Sequence, residues 1–120
     1  MMNNVTDAHT VDLAELRAEL FDPYVGQMMV FERPAGSEAQ EEPPARMKLL
    51  EVHRGIPSPA LRRVPFSLLF VMKDQAELSF GLHRLILSGH TPVELLISRV
   101  TVPRFQACDP MGMFYEVVFG

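Results

Sequence analysis

The sequence predicts a mainly β domain: a small antiparallel six-stranded barrel or roll with one short N-terminal α-helix. Three observations point there. Pro65-Phe66-Ser67-Leu68-Leu69-Phe70-Val71-Met72 is a nearly unbroken apolar run fenced by charge. That is how a strand covered on both faces reads, and it needs a closed or two-layered sheet around it. Short apolar segments recur along the chain, separated by Gly- and Pro-containing turns. Only one stretch, near the N-terminus, carries a helical period.

Residues 1–9 read as a flexible N-terminus, and residues 10–120 as a single β-rich domain. Thr10 to Leu20 is the helix, with Thr10 as N-cap and Asp12 and Glu15 in the first turns. Leu13, Leu16 and Leu20 share one side, the stripe of a helix that packs on one open end or one face of a sheet. Asp22-Pro23 stops it, because proline disfavours helix in the residue before it. Gly26 punctuates the chain, and Gln27 to Phe31 is the first strand. Residues 33–45 form an acidic, Pro-containing loop with Glu38, Glu41, Glu42, Pro43 and Pro44.

Met47 to His53 is the second strand. Arg54 to Pro59 is a rigid connector, and Pro65 to Met72 the third strand, with its proline where a missing N–H costs least. Leu78 to Leu87 is the fourth strand, in which Gly81 suggests a bulge. Val93 to Val102 is the fifth and Met113 to Phe119 the sixth, joined by a connector at Gln106 to Met111. Strands arriving in sequence suggest a meander rolled into a barrel. Several of them, Val93–Val102 and Met113–Phe119 among them, are apolar on both faces. That surplus apolar surface predicts self-association.

Composition narrows the function classes. With 120 residues, 48% hydrophobic, the chain makes one domain that folds without staples. Cys108 is the single cysteine, so an internal disulfide and a multi-cysteine zinc site are excluded. No stretch approaches the ~20 apolar residues of a membrane helix. The first residues lack a signal-peptide pattern, so a cytoplasmic location is expected. The net charge of −4 argues against general nucleic-acid binding. It is unevenly spread: residues 1–45 carry nine acids against Arg17 and Arg33, and residues 46–120 carry nine bases against six acids. An acidic N-terminal part lying on a basic body, its own or a neighbour's, is expected.

The order of motifs resembles that of a bacterial family of domains of unknown function. The resemblance rests on Leu20-Phe21, Gly26 and Val30-Phe31, on Leu49-Leu50-Glu51-Val52, and on Arg63 with the Pro65–Phe70 run. It continues through Gly81, His83-Arg84-Leu85, the His90-Thr91-Pro92 turn, Leu95-Leu96-Ile97, Pro103 and the terminal strand Tyr115-Glu116-Val117-Val118-Phe119. His83 stands where the pattern has tyrosine, and Thr91 interrupts a His-Pro turn. The resemblance covers about residues 12–120 and implies a compact β domain with no established activity. It also implies an accessory role beside tail-collar-like assembly proteins.

Candidate chemistry is sparse. His53 and His83, on strands, with Glu51 or Asp109 are the conceivable metal ligands, and His90 lies in a turn; no pair has the short spacing of a ligand motif, so no metal and no cofactor are expected. His83 with Cys108 or Asp109 is the conceivable catalytic set, Cys108 being the conceivable nucleophile. Glu41-Glu42 lies in the acidic loop rather than on rigid elements. Glycine-rich phosphate loops are absent. Arg46, Arg54, Arg62 and Arg63, with Lys48, form one basic patch if the connector folds back. A barrel lumen lined by Phe66, Phe70, Phe80 and Met113, with His83 or Arg84 at its mouth, is the small-molecule alternative. The leading expectation is a non-enzymatic protein-interaction domain, a homodimer that docks a protein partner. A ligand-binding barrel and a small enzyme are the alternatives.

Overall fold

The computed structural model describes residues 16–32, 44–73, 75, 78, 81–87 and 92–120. Thr10 and the rest of the expected helix before Leu16, most of the acidic loop, Phe80 and His90 lie outside the described residues. The elements are α1 (Ala18–Phe21), a 3-10 turn at Asp22–Tyr24, β1 (Met28–Glu32), β2 (Ala45–Arg54), β3 (Phe66–Met72), β4 (Gly81–Ile86), β5 (Val93–Val100), α2 (Pro103–Cys108) and β6 (Met113–Phe119). The six strands form a closed antiparallel barrel in the order β1-β2-β3-β6-β5-β4. Among the described residues no helix is long and apolar enough to cross a membrane.

The order corrects the expected meander. Each half of the chain is a meander, but β3 pairs with β6 rather than β4, and β4 returns to β1. Both orders place the same alternating residues inside, so alternation cannot choose between them. Between β3 and β4 the described residues are Lys73, Gln75 and Leu78. Leu78 is buried there, and its N–H donates to the Tyr115 hydroxyl at 2.9 Å. The Gln75 amide bridges the backbone of Arg46, accepting from its N–H at 3.0 Å and donating to its carbonyl at 2.8 Å.

Alternation along each strand fills the interior. Phe66, Leu68, Phe70 and Met72 of β3 face inward and are at most 3% exposed. Phe31 meets Phe70 edge-on at 5.0 Å, and Phe66 stacks on Phe119 at 4.4 Å. Phe21 of α1 is fully buried and sits 6.0 Å from both Phe66 and Phe119, so the helix covers that barrel end, one of the two placements expected. Its start corrects the expected Thr10–Leu20 helix: Arg17 is extended at φ −127° and ψ 153°, and the helix begins at Ala18. The helix stops at Asp22-Pro23, also as expected. Gly26 follows at φ +89°, a conformation that suits glycine, and its N–H reaches the Leu49 carbonyl at 2.7 Å.

The bulge falls on β2 rather than at Gly81. The register with β3 shifts between Leu49 and Glu51, which puts Glu51 on the outer face beside Leu50. A further correction concerns the expected fifth strand. It ends at Val100, and Pro103–Cys108 is a helix, with Pro103 in its first turn where no N–H is needed. Phe105 lies 6.1 Å from Phe114. Around it Leu69, Val71 and Phe114 form a second cluster on the outer wall, joined by Leu50, Val100 and Val102. Part of the surplus apolar surface is therefore covered by the chain's own helix.

Candidate functional site

The bulge and α2 together shape the outer wall of β2. Beyond Leu50 the strand presents Glu51 and His53 outward. Arg104, at the start of α2, reaches back to Glu51, with Nη2 donating to Oε1 at 2.7 Å. Across the cleft Arg54 donates to Asp22 Oδ2 at 2.6 Å and lies 3.6 Å from Glu19. The bond to Asp22 raises the Arg54 pKa above its ordinary value, a shift that desolvation opposes only in part. Asp22, Val25, Glu51, Val52, His53 and Arg104 enclose a cleft of ≈ 340 Å³. A second groove of ≈ 170 Å³ runs along the far side of His53, past Pro65, Ser67, Glu116 and Val118. His53 is the shared wall, facing Ser67 across the β2–β3 ladder. Two ion pairs, Glu51–Arg104 and Asp22–Arg54, therefore border the cleft.

The four arginines do not make one patch. Arg46 is the second residue of β2 and Arg54 its last, about 25 Å apart at strand rise. Arg54 ties the 3-10 turn and Glu19 to the barrel within the same chain. Arg63 serves the same barrel end. Its Nη1 donates to the Leu16 carbonyl at 2.6 Å, its Nε donates to the Gly120 carbonyl at 3.0 Å, and its guanidinium stands 5.5 Å from the Phe66 and Phe119 rings. Arg62 is exposed on the connector.

Of the lumen residues, Phe66, Phe70 and His83 are buried inside and Met113 is half-buried. Arg84 is not at the mouth: it alternates with inward-facing His83 and Leu85 and so lies on the outer wall, level with Glu32 and Glu94. His83 is enclosed by the barrel, whereas Cys108 is exposed on α2 and Asp109 pairs with Lys73 Nζ at 2.7 Å. The barrel wall thus separates the conceivable nucleophile from its base. Among the described residues no cluster of three His, Cys, Asp or Glu side chains is arranged to hold a metal. Sequence reading missed Arg104, whose position depends on the short helix it also missed.

No curated protein and no solved structure matches the chain. A family model described as "Domain of unknown function (DUF6916)" matches residues 16–119, nearly the whole described barrel and both helices. The chain belongs to that family, DUF6916.

Proposed function

We propose that this barrel is a non-enzymatic interaction domain whose outer wall docks a protein. One observation carries the reading: aliphatic side chains remain exposed on the wall of a closed barrel. Leu82 and Leu96 face each other across β4 and β5 at 52% exposure each, and Val118 is 70% exposed on β6. Grouped exposed aliphatics on a small domain mark contact surfaces. The stacked interior rings leave a lumen ligand little support, and the separated His83 and Cys108 leave a nucleophilic enzyme none. The test is capture from native host extract with wild-type and Leu82→Glu protein as baits, Arg62→Glu serving as charge control. A bound protein, or a second copy, lost only with Leu82→Glu supports the reading. A wild-type domain that neither self-associates nor retains any protein refutes it.

The cleft beside His53 favours a second reading, a small charged ligand held between the Glu51–Arg104 and Asp22–Arg54 pairs. Native mass spectrometry of freshly purified protein reads it directly. A retained small molecule that disappears with Arg104→Ala supports this reading, and a bare mass under gentle desolvation counts against it.

A further inference from the structure

The outer face of β4 and β5 is self-complementary, and we infer that its occupant is a second copy of this chain. This deepens the interaction reading and rests on it. In the β4–β5 register Leu82 stands opposite Leu96, and Arg84 stands opposite Glu94. All four side chains alternate with buried neighbours and so project from the outer wall. Leu82 and Leu96 are half exposed and Glu94 is exposed. Among the described residues no ion pair joins Arg84 to Glu94 or to Glu32, its neighbour on β1.

The arrangement has a geometric consequence. Take a two-fold axis parallel to the strands, midway between β4 and β5, with a second sheet about 10 Å away face to face. The rotation lays β4 of one chain over β5 of the other at the same height. Arg84 then meets Glu94 of the second copy, Glu94 meets the second copy's Arg84, and each Leu82 meets the other chain's Leu96. Every contact occurs twice, the mark of an isologous interface. An axis along β4 itself would instead set Arg84 against Arg84. Ile86, half-buried and paired with Val30, extends the apolar margin on the β1 side.

The experiment uses Arg84→Glu, Glu94→Arg and Leu96→Glu proteins, each checked for wild-type circular dichroism, in sedimentation equilibrium at high micromolar concentration. The wild type is expected to run as a dimer. Each charge reversal sets like charges together in two symmetric contacts and is expected to weaken the dimer more than about a hundredfold. Mixing Arg84→Glu with Glu94→Arg protein restores complementary pairs in trans, so the equimolar mixture is expected to form a heterodimer that neither variant forms alone. A role confined to one chain cannot produce that rescue. Leu96→Glu, exposed and outward, is expected to run as a monomer and keeps the test open if a charge reversal perturbs folding.

A wild-type monomer overturns the inference, although a foreign protein captured on the Leu82 face would still leave the interaction reading standing. A dimer that survives all three substitutions also overturns it, placing the contact on another face. Absence of the heterodimer from a mixture of two folded variants does the same. Only loss of both self-association and every captured protein removes the interaction reading as well.

Discussion

Replacing Arg63 with alanine tests how the N-terminal segment is held to the barrel. The side chain supplies two charge-assisted hydrogen bonds to backbone carbonyls, at 2.6 Å to Leu16 and 3.0 Å to Gly120. Bonds of this kind contribute about 1.5–3 kcal/mol each when shielded, and about 1 kcal/mol each at a half-buried site such as this one. The guanidinium over Phe66 and Phe119 adds about 0.5–1 kcal/mol. Arg63→Ala is therefore expected to cost about 2–4 kcal/mol, a large share of the ~5–15 kcal/mol that holds a domain together. At roughly 3–5 °C per kcal/mol for a chain of this length, Tm falls by roughly 6–20 °C. Urea titration followed by far-UV circular dichroism gives the free energy, and amide exchange gives the location. Residues 16–24 should lose protection first. Arg63→Met keeps the packing of the stem but not the donors, so it should fall close to alanine. Arg62→Ala, exposed on the same connector, should stay within about 0.5 kcal/mol of wild type. If Arg63→Ala matches Arg62→Ala, the clamp is not what holds the segment, and the reasoning from its geometry fails.

Phe21→Ala removes a fully buried ring packed against the Phe66–Phe119 stack and should cost about 3–5 kcal/mol, read by the same titration. Gly112→Ala places a Cβ 2.9 Å from the Val71 Cγ2 methyl, beneath α2. Overpacking there should cost about 1–3 kcal/mol, and a neutral result would mean that α2 yields freely. Cys108 is exposed, so an aromatic disulfide reagent should titrate one thiol per chain in the folded protein without denaturant. A thiol that reacts only after unfolding would contradict its position on α2.

Strands were legible wherever apolar residues alternated or ran together. Pro65–Met72 announced a strand covered on both faces, and it is covered, by the lumen on one side and by α2 on the other. The cover itself was not legible. α2 is six residues long with Phe105 as its anchor, too short for a helical period to register. Pro103 therefore read as the end of a strand rather than the first turn of a helix. The strand order was hidden because a meander and the observed crossover bury the same residues. Arg63 was visible as a charge but not as a clamp. Its acceptors lie 47 and 57 residues away, and backbone carbonyls leave no trace in a sequence. The cleft at His53 was half visible. His53 and Glu51 stood out as candidates, but Arg104 and Asp22 reach them only through the fold.

The pairing of β3 with β6 has a consequence during synthesis. Phe66 pairs with Phe119 and Met72 with Met113, so the most apolar strand of the chain waits for the last strand to leave the ribosome. Until then β1, β2 and β3 can only form an open sheet, with one side of β3 offering unpaired N–H and C=O groups. A strand reading Phe-Ser-Leu-Leu-Phe-Val-Met, with no charge along it, is the kind that recruits other nascent chains. Pairings this distant also form slowly, which prolongs the exposure. Aggregation of this protein in a cell is thus governed by how soon β6 arrives, and a chain cut short before Met113 leaves that edge open for good.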